Sequence, residues 1–462
     1  MSIKRPSRRE FLKTAAAGSV AASIPTTFLR ARERAQATAV APNDRVQIAL
    51  IGAGGQGMSD TRTALRVPGV ELTAVSDIYD GRLTRAKELW GAQLFTSRDY
   101  REVLARPDVD AVIIATPDHW HQRIAIDAMK AGKDVYVEKP IVQKIDEGLP
   151  LADVARQTNR IVQVGSQRVS SIVYAKARDL YRAGAIGSLV LVEAWINRNS
   201  AMGAWQYTLP LDASPQTIDW DRFLGNAPKR PFEPIRLFRW RNYRDYGTGI
   251  PGDLFVHLFT GIHYVLDSTG PTRVMATGGL RYWNDGRDVP DVMLGLYDYP
   301  KTASHPPFTL SLKVNFEEGG GENQAFRFVG PEGVLTIGGG GVTLSKKPRP
   351  KDPGLSIDTY PKAMQDEIIK AHRAKYPPEP ELLPVSEELF AAPQGYSDAY
   401  DHFVNFFDSV RTRKPSVEDA VFSFRAAAPA LLTNDSYFEG RPIAWDPEAM
   451  KRASRIETGS RQ

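Results

Sequence analysis

Two polar groupings in this 462-residue sequence have the makings of proton-handling chemistry. The first is Glu138-Lys139-Pro140. Lys139 follows the short run Asp134-Val-Tyr-Val137, so it is expected just past the carboxyl end of a strand, the edge at which open α/β sheets bind ligands. A lysine in that place, held by a proline, is a candidate catalytic group. The second grouping is Asp253 with His257, in a stretch whose apolar residues suit a helix. Residues four apart lie on one helical face, about a turn from each other. A carboxylate beside an imidazole fixes its tautomer and raises its proton affinity, as a general base for alcohol oxidation requires. Most helical histidines are packing residues, a reading that the carboxylate four residues earlier shifts only modestly for His257; His263 in the same stretch fits packing better, or a peripheral substrate contact. The sequence has no cysteine, which excludes disulfides, thiolate metal sites and a thiol nucleophile.

The elements that must position these residues can be read on either side of them. Ala111 to Ala115 is a continuous apolar run, the pattern of a parallel strand covered on both faces. Thr116-Pro117-Asp118 breaks it, and the helix that follows is expected to end near Gly132 in a left-handed cap. Upstream, the strand pattern Val46–Ile51 runs into Gly52-Ala-Gly54-Gly55-Gln56-Gly57, with a helix predicted from about Met58 to Val67. A second strand, Glu71 to Ser76, ends at Asp77, twenty residues beyond Gly57. Strand, glycine turn, helix, strand and acid together form the dinucleotide fingerprint. Gly52 makes the tight turn, Gly54 lets the backbone approach a pyrophosphate, and Gly57 permits close helix packing. The amides of Gly55 and Gln56 at the helix start face the phosphates. Asp77 accepting from both ribose hydroxyls favours NAD, although Arg82 or Arg85 could relieve the 2′-phosphate of NADP.

Further on, Asp146 is expected to cap a helix reaching Asn159, and Ile161–Val164 makes a sixth strand that closes a first domain near Arg168. A helix (172–183) and a long strand (189–195) follow. Strands near 274–277, 292–298, 308–316, 323–329 and 334–337 then succeed one another with turns, indicating a largely antiparallel sheet with one face free to pack, for instance on another subunit. Residues 346–395 are rich in proline and charge around one helix (359–375) and read as an insertion; helices at 397–411 and 417–438 complete the chain. Polar–aromatic clusters at Trp195–Asn199, Arg239–Tyr243 and Tyr282–Asn284 suit a polyhydroxylated ligand and equally a subunit interface. His119 and His121, two apart with no third ligand in view, do not make a metal site.

Charge and the N-terminus narrow the setting. The chain has 59 Lys and Arg against 54 Asp and Glu, but residues 1–37 hold eight of the basic residues and two of the acidic ones. The remaining 51 basic and 52 acidic residues leave no case for nucleic acid. Ser7-Arg8-Arg9-Glu10-Phe11-Leu12-Lys13, the weakly apolar run to Ile24 and Ala35-Gln36-Ala37 read as a twin-arginine (Tat) signal peptide over residues 1–37. The run is too short for a permanent membrane span. The division expected is therefore signal peptide 1–37, dinucleotide domain 38–168, substrate and oligomerisation domain 169–446, and tail 447–462. A periplasmic or extracellular location and recognition by the Tat machinery follow from that leader.

Gly52-x-Gly54-x-x-Gly57, Thr116-Pro117-Asp118-His119-Trp120-His121, Glu138-Lys139-Pro140, Asp253-x-x-x-His257 and the closing Gly440-Arg-Pro-Ile-Ala-Trp445 together resemble the Gfo/Idh/MocA oxidoreductases, over about residues 45–446. Only the 346–395 insertion departs from the compact family pattern. The resemblance implies an N-terminal Rossmann domain with a doubly wound parallel sheet and an α+β C-terminal domain with a large, mostly antiparallel open sheet. It implies that Lys139 sits beside the nicotinamide ribose and the reacting hydroxyl, that His257 takes the hydroxyl proton, and that Asp253 orients substrate or His257. Thr116, Pro117, His119, His121 and Glu138 are then expected to line the nicotinamide half of the site. The activity implied is hydride transfer at a sugar, polyol or glycoside, with tightly bound NAD or NADP, in a homodimer or homotetramer. A Tat passenger must carry its dinucleotide out already bound, so reoxidation in place is expected, by a second carbohydrate or an external redox partner. Some exported relatives instead cleave glycosides by transient oxidation, elimination and re-reduction, which needs no net redox partner.

Overall fold

Short apolar runs separated by helices can pair only in parallel, and the first 120 or so residues of the folded chain do so. The computed structural model describes residues 44–346, 354, 356–377 and 387–454; the expected signal peptide, the end of the tail and parts of the expected insertion lie outside the described residues. The first domain runs β1 (Val46–Ile51), α1 (Gly55–Ala64), β2 (Val70–Ser76), α2 (Asp80–Trp90), β3 (Phe95–Ser97), α3 (Tyr100–Leu104), β4 (Ala111–Ile114), α4 (His121–Lys130), β5 (Asp134–Val137), α5 (Gly148–Thr158) and β6 (Val162–Val164). Its strands lie in the order β3-β2-β1-β4-β5-β6, all parallel. Between β1 and β4 the order reverses direction, and a crevice opens at their carboxyl ends.

The glycine turn fills the floor of that crevice. Ile51 lies opposite Ile114, so Gly52 meets Ala115 across the sheet end. Gly52 has φ 93°, and a Cβ there would stand 2.7 Å from the Ala115 carbonyl. A Cβ on Gly57 would stand 2.1 Å from the Gly52 carbonyl oxygen, so the helix packs on the turn as the fingerprint requires. Helix α1 begins at Gly55, three residues before the expected Met58, because the glycine-rich run itself winds into its first turn. Gly132 (φ 81°) follows α4 as the expected left-handed cap. Glu147 rather than Asp146 organises the start of α5: its carboxylate accepts from the amides of Gln143 and Lys144, each at 3.0 Å.

The second domain contains α6 (Ile172–Arg182), β7 (Leu191–Asn197), the short helices α7 (Trp220–Leu224) and α8 (Pro234–Phe238), and α9 (Val256–Leu266). Then come β8 (Arg273–Gly279), β9 (Val292–Tyr299), β10 (Phe308–Asn315), β11 (Asn323–Gly330), β12 (Gly333–Gly338), β13 (Gly341–Lys346), α10 (Lys362–Lys375), β14 (Glu387–Ala391), α11 (Asp398–Thr412), α12 (Ala420–Glu439), β15 (Ile443–Asp446) and β16 (Lys451–Arg452). Ten strands make one sheet in the order β14-β13-β12-β11-β7-β10-β9-β8-β15-β16. Only the β7–β10 pair is parallel among its named pairs. Strand β10 shows the period of two: Phe308, Leu310, Leu312 and Val314 are buried, while Thr309 and Lys313 face out. The outer face of the neighbouring strands leaves Met275, Leu294 and Leu296 about two-fifths exposed.

Two departures from expectation matter. The segment read as an insertion rejoins the sheet, because β14 pairs along β13. Helix α11, near the end of the chain, packs on the first domain: Phe403, Phe406 and Phe407 bury themselves against Ile48, Leu50 and Ile113, and Phe403 stacks on Tyr136 at 4.4 Å. The largest buried cluster runs through both domains, with Ile114 and Val137 joined to Phe255, Leu312 and Leu431. Among the described residues no helix is long and apolar enough to cross a membrane.

Candidate active site

At the crevice, a cavity of about 730 Å³ runs from the glycine turn past Asp77 and Thr116 to Glu138, Lys139 and Arg241. Its size suits a cofactor with a small substrate. The first amides of α1 have no partner within the helix, as at every helix start. Gly52, Gly54, Gly55 and Gln56 all line the cavity, so the start of the helix opens onto it. An open cradle of donors at a helix N-terminus fits a pyrophosphate. The Gln56 side chain lines the cavity and donates to Asp60 at 2.9 Å.

Asp77 is buried and already engaged: one oxygen accepts from the Ala53 amide at 2.7 Å and the other from the Tyr79 amide at 3.0 Å. Oδ1 keeps a further lone pair for a ribose hydroxyl, whereas Oδ2 also accepts from Arg82. The two arginines considered with it separate. Arg82 reaches Asp77 at 3.4 Å, whereas Arg85 turns outward to an exposed pair with Glu88.

The Thr116–His121 turn is braced rather than free. His121 is buried, with Nδ1 2.7 Å from the Pro140 carbonyl and Nε2 2.8 Å from the Thr116 carbonyl. Burial lowers its pKa to about 4, so the ring is neutral and donates to one carbonyl at a time. It ties the Thr-Pro turn to the Glu-Lys-Pro element. His119 and the Trp120 indole converge on the Phe223 carbonyl at 2.8 and 2.9 Å, and burial holds His119 near 4 as well. Asp118 accepts from both the amide and the hydroxyl of Thr248, with its pKa raised to about 7 by burial. The contacts of this turn therefore position the cavity wall, though His119 and His121 also line it.

At the far end Lys139 donates to Asp253 twice, to the carboxylate at 2.7 Å and to the backbone carbonyl at 2.9 Å. Arg241 adds a third bond to the same carboxylate oxygen at 3.0 Å, and the Trp205 indole donates to the other at 3.2 Å. Burial alone would raise the pKa of Asp253; Lys139 and Arg241 override it and hold the carboxyl well below the usual carboxylate range. Asp253 lies in a π-helical turn, Pro251–Phe255, that leads into α9. Such wide turns recur at functional sites. Trp205 has φ 64°, a conformation that costs a non-glycine residue roughly 1–3 kcal/mol.

Here the expected Asp253–His257 pairing is not what the structure brings together. The Asp253 carboxylate points at Lys139, Arg241 and Trp205. His257 is only half-buried overall, but its Nδ1 is buried and has no hydrogen-bond partner. Burial, then the charges of Lys139 and Arg168, keep its pKa well below the ordinary value, so the ring is neutral. Neither Asp253 nor His257 lines the main cavity; Lys139 does. Glu138 is buried beneath, with one oxygen unpartnered, as is one oxygen of Asp60. Burial raises both carboxyls, and the charge of Glu138 adds to the rise at Asp60.

Of the polar–aromatic clusters, Arg198, Trp240 and Arg241 line the cavity, joined by Tyr207 and Met202. Tyr282 and Trp283 do not: Tyr282 is 62% exposed and the Trp283 indole donates to the Phe316 carbonyl. Trp205 and Tyr207 carried no signal in the sequence, since they lie in an irregular loop where no periodicity marks a side chain as inward.

Residues 46–166 match the family described as "Oxidoreductase family, NAD-binding Rossmann fold", and residues 199–280 match "Oxidoreductase family, C-terminal alpha/beta domain". NAD is thus the cofactor to which the glycine cradle and Asp77 are suited. The chain is 33% identical over 214 residues to "Glycosyl hydrolase family 109 protein 1" of Shewanella sp. (strain ANA-3), a match covering 40% of this chain and 45% of that protein. It is 32% identical over 212 residues, with the same coverage, to the "Alpha-N-acetylgalactosaminidase" of Shewanella oneidensis. The match thus spans less than half the length of these curated relatives. In fold it resembles levoglucosan dehydrogenase in complex with NADH and levoglucosan (TM-score 0.61, 16% identity, 87% of this chain and 99% of that one). An aldose-aldose oxidoreductase from Caulobacter crescentus complexed with glycerol is as similar (TM-score 0.61, 15% identity, 87% and 99%).

Proposed function

The chain belongs to the Gfo/Idh/MocA oxidoreductases, and on that premise we propose that it oxidises a hydroxyl of a sugar, polyol or glycoside with an NAD that stays bound between turnovers. The observation that carries this reading is the fixing of Lys139 by Asp253 at the end of a cavity that begins at the glycine cradle. An ammonium has three donors, and two are spent on Asp253, leaving one for a substrate oxygen. In this reading the charge of Lys139 lowers the pKa of the bound hydroxyl, and the neutral His257 ring takes its proton as the carbon–hydrogen bond breaks. Bound NAD supplies the hydride acceptor. Asp253, itself anchored by Arg241, holds Lys139 in place, while Arg198, Tyr207 and Trp240 offer donors and aromatic faces to a polyhydroxylated substrate. The twin-arginine pattern supports export, and a cell envelope without a dependable pool of soluble NAD favours a retained cofactor. Its regeneration then falls to a second carbohydrate or an external redox partner. The exposed apolar face of the large sheet supports a homo-oligomer.

A second reading has its own support in the glycosyl hydrolase relatives: transient oxidation of a glycoside carbon, elimination of the aglycone, and return of the hydride to the product. Both readings share the oxidation step and the same residues. Denaturing the purified protein and identifying the nicotinamide released tests the retained cofactor. Recovering none, with activity absent until NAD is added, would refute it. Release of the aglycone from aryl glycosides without added NAD selects the second reading; oxidation of free sugars with none released selects the first.

A further inference from the structure

Between β7 and α9 the chain leaves its own domain and lies against the first one. Ile218 bridges Tyr79 in antiparallel fashion, with the Asp80 amide donating to the Thr217 carbonyl (3.0 Å) and the Asp219 amide to the Ile78 carbonyl (2.9 Å). The Tyr79 hydroxyl donates to Asp212, Arg98 bonds Asp80 and the Gln216 carbonyl, and Arg222 pairs with Asp99 at 3.4 Å. Under these polar ties lies a separate apolar core: Tyr79 from the first domain with Ile218, Phe223, Leu224, Leu237, Phe238, Tyr243 and Tyr246 from the second. Tyr79 is two residues from Asp77, the expected ribose ligand. Arg82 sits where these parts meet, 3.4 Å from Asp77, 5.4 Å from the centre of the Phe238 ring, and 3.6 Å from where a Cβ on Gly54 would stand. The same cavity that touches Gly54, Asp77 and Arg82 is walled by Arg222, Phe223, Leu237 and Phe238.

We propose that residues 212–246 are a latch over the adenosine half of the dinucleotide site, with Phe238 as its ligand-facing member set against Arg82 of the first domain, and that NAD leaves only when the Tyr79–Ile218 bridge opens. This rests on the reading of a retained cofactor and supplies its physical cause. Cofactor held by the glycine turn alone is open to solvent on its outer side. Here that side is covered by an element that must break backbone bonds and expose a buried aromatic core to lift.

The bridge offers a direct test. In an antiparallel bridge of this kind the two residues exchange no bonds, and their Cα atoms lie about 4.5 Å apart, within disulfide range. The chain has no cysteine of its own, so the double variant Tyr79→Cys with Ile218→Cys forms a reversible lock. Protein loaded with NADH is chased with excess NAD, and loss of bound NADH fluorescence is followed. The oxidised double variant is expected to release NADH at least tenfold more slowly than the same protein reduced, and Phe238→Ala at least tenfold faster than wild type. Rates within twofold across both comparisons, in variants whose circular dichroism matches wild type, would overturn the latch. Should the double variant not fold, the release rate of Phe238→Ala against wild type decides between these outcomes. The wild-type rate judges the other claim: release within seconds would defeat the retained cofactor, whereas the ratios alone decide whether this segment governs release.

Discussion

The two ends of the cavity hold charge in opposite ways. At the glycine turn, the backbone supplies donors: the start of α1 opens onto the cavity, where its unpaired first amides suit an anion. At the Pro251–Phe255 turn, one residue supplies acceptors: the carboxylate and the carbonyl of Asp253 both hold the Lys139 cation. The first end is built from the shape of the chain and needs particular residues only where a Cβ would collide. The second is built from side chains drawn from four separate stretches, around positions 139, 205, 241 and 253. A backbone site is local in sequence, and a side-chain site is not.

Substitutions at the acceptor end should have the largest effects. Lys139→Met is expected to lower turnover by roughly 10²–10⁴-fold, the usual reach of a positioned proton-handling group, while NADH binding measured by fluorescence persists. Asp253→Ala leaves Lys139 and Arg241 facing each other without a carboxylate, a loss of about 3–5 kcal/mol of stability by analogy with other broken buried pairs. A denaturation midpoint unchanged in that variant would mean the turn does not need its anion.

At the donor end the glycines should separate. Gly52→Ala drives a Cβ into the Ala115 carbonyl at φ 93°, so thermal stability is expected to fall by more than ~1 kcal/mol and NAD binding with it. Gly55→Ala meets nothing within 4 Å and lies in the first turn of a helix, so the fold is expected to tolerate it or gain up to ~1 kcal/mol. Equal destabilisation by the two would contradict a cradle in which Gly52, but not Gly55, is required by close approach.

A smaller effect is expected at Asp118, which ties the Thr116–His121 turn to Thr248. Its folded pKa of about 7 lies above the ordinary carboxyl value, so between those values the folded state binds the extra proton. Stability from this group is therefore highest in mild acid and falls as pH rises toward 7. Asp118→Asn should remove that slope from a plot of melting temperature against pH; an unchanged slope would assign it elsewhere. The least effect is expected at Arg85, whose pair with Glu88 is more than half exposed. Arg85→Ala should cost less than about 0.5 kcal/mol and leave NAD affinity unchanged, in contrast with Arg82→Ala, which should weaken it.

The same contrast explains what the sequence made legible. Gly52, Gly54 and Gly57 are dictated by sterics within one turn, and Asp77 by the next strand, so the cofactor end could be read from a single short stretch. Lys139 was legible because β5 ends just before it. The partnership of Asp253 was not. Spacing of four implies a shared face only in an α-helix, and the π turn re-aims the carboxylate toward Lys139 instead of His257. Arg241 and Trp205 lie in loops and three-residue turns, where no periodicity marks a side chain as inward. The 212–246 segment holds helices of only five residues, too short to show an apolar stripe. The pairing of β13 with β14 was hidden for a related reason: a long polar excursion separates the two strands.

The central claim is that Lys139 activates a carbohydrate hydroxyl for oxidation by resident NAD. It is tested most directly by mixing purified protein, with no dinucleotide added, with sugars, polyols and glycosides in turn and following the near-ultraviolet absorbance of reduced nicotinamide. A rapid rise bounded by the enzyme concentration with at least one substrate, abolished in Lys139→Met, is the result predicted. Protein shown to contain NAD that gives no such rise with any carbohydrate, and no aglycone from any glycoside, would contradict it.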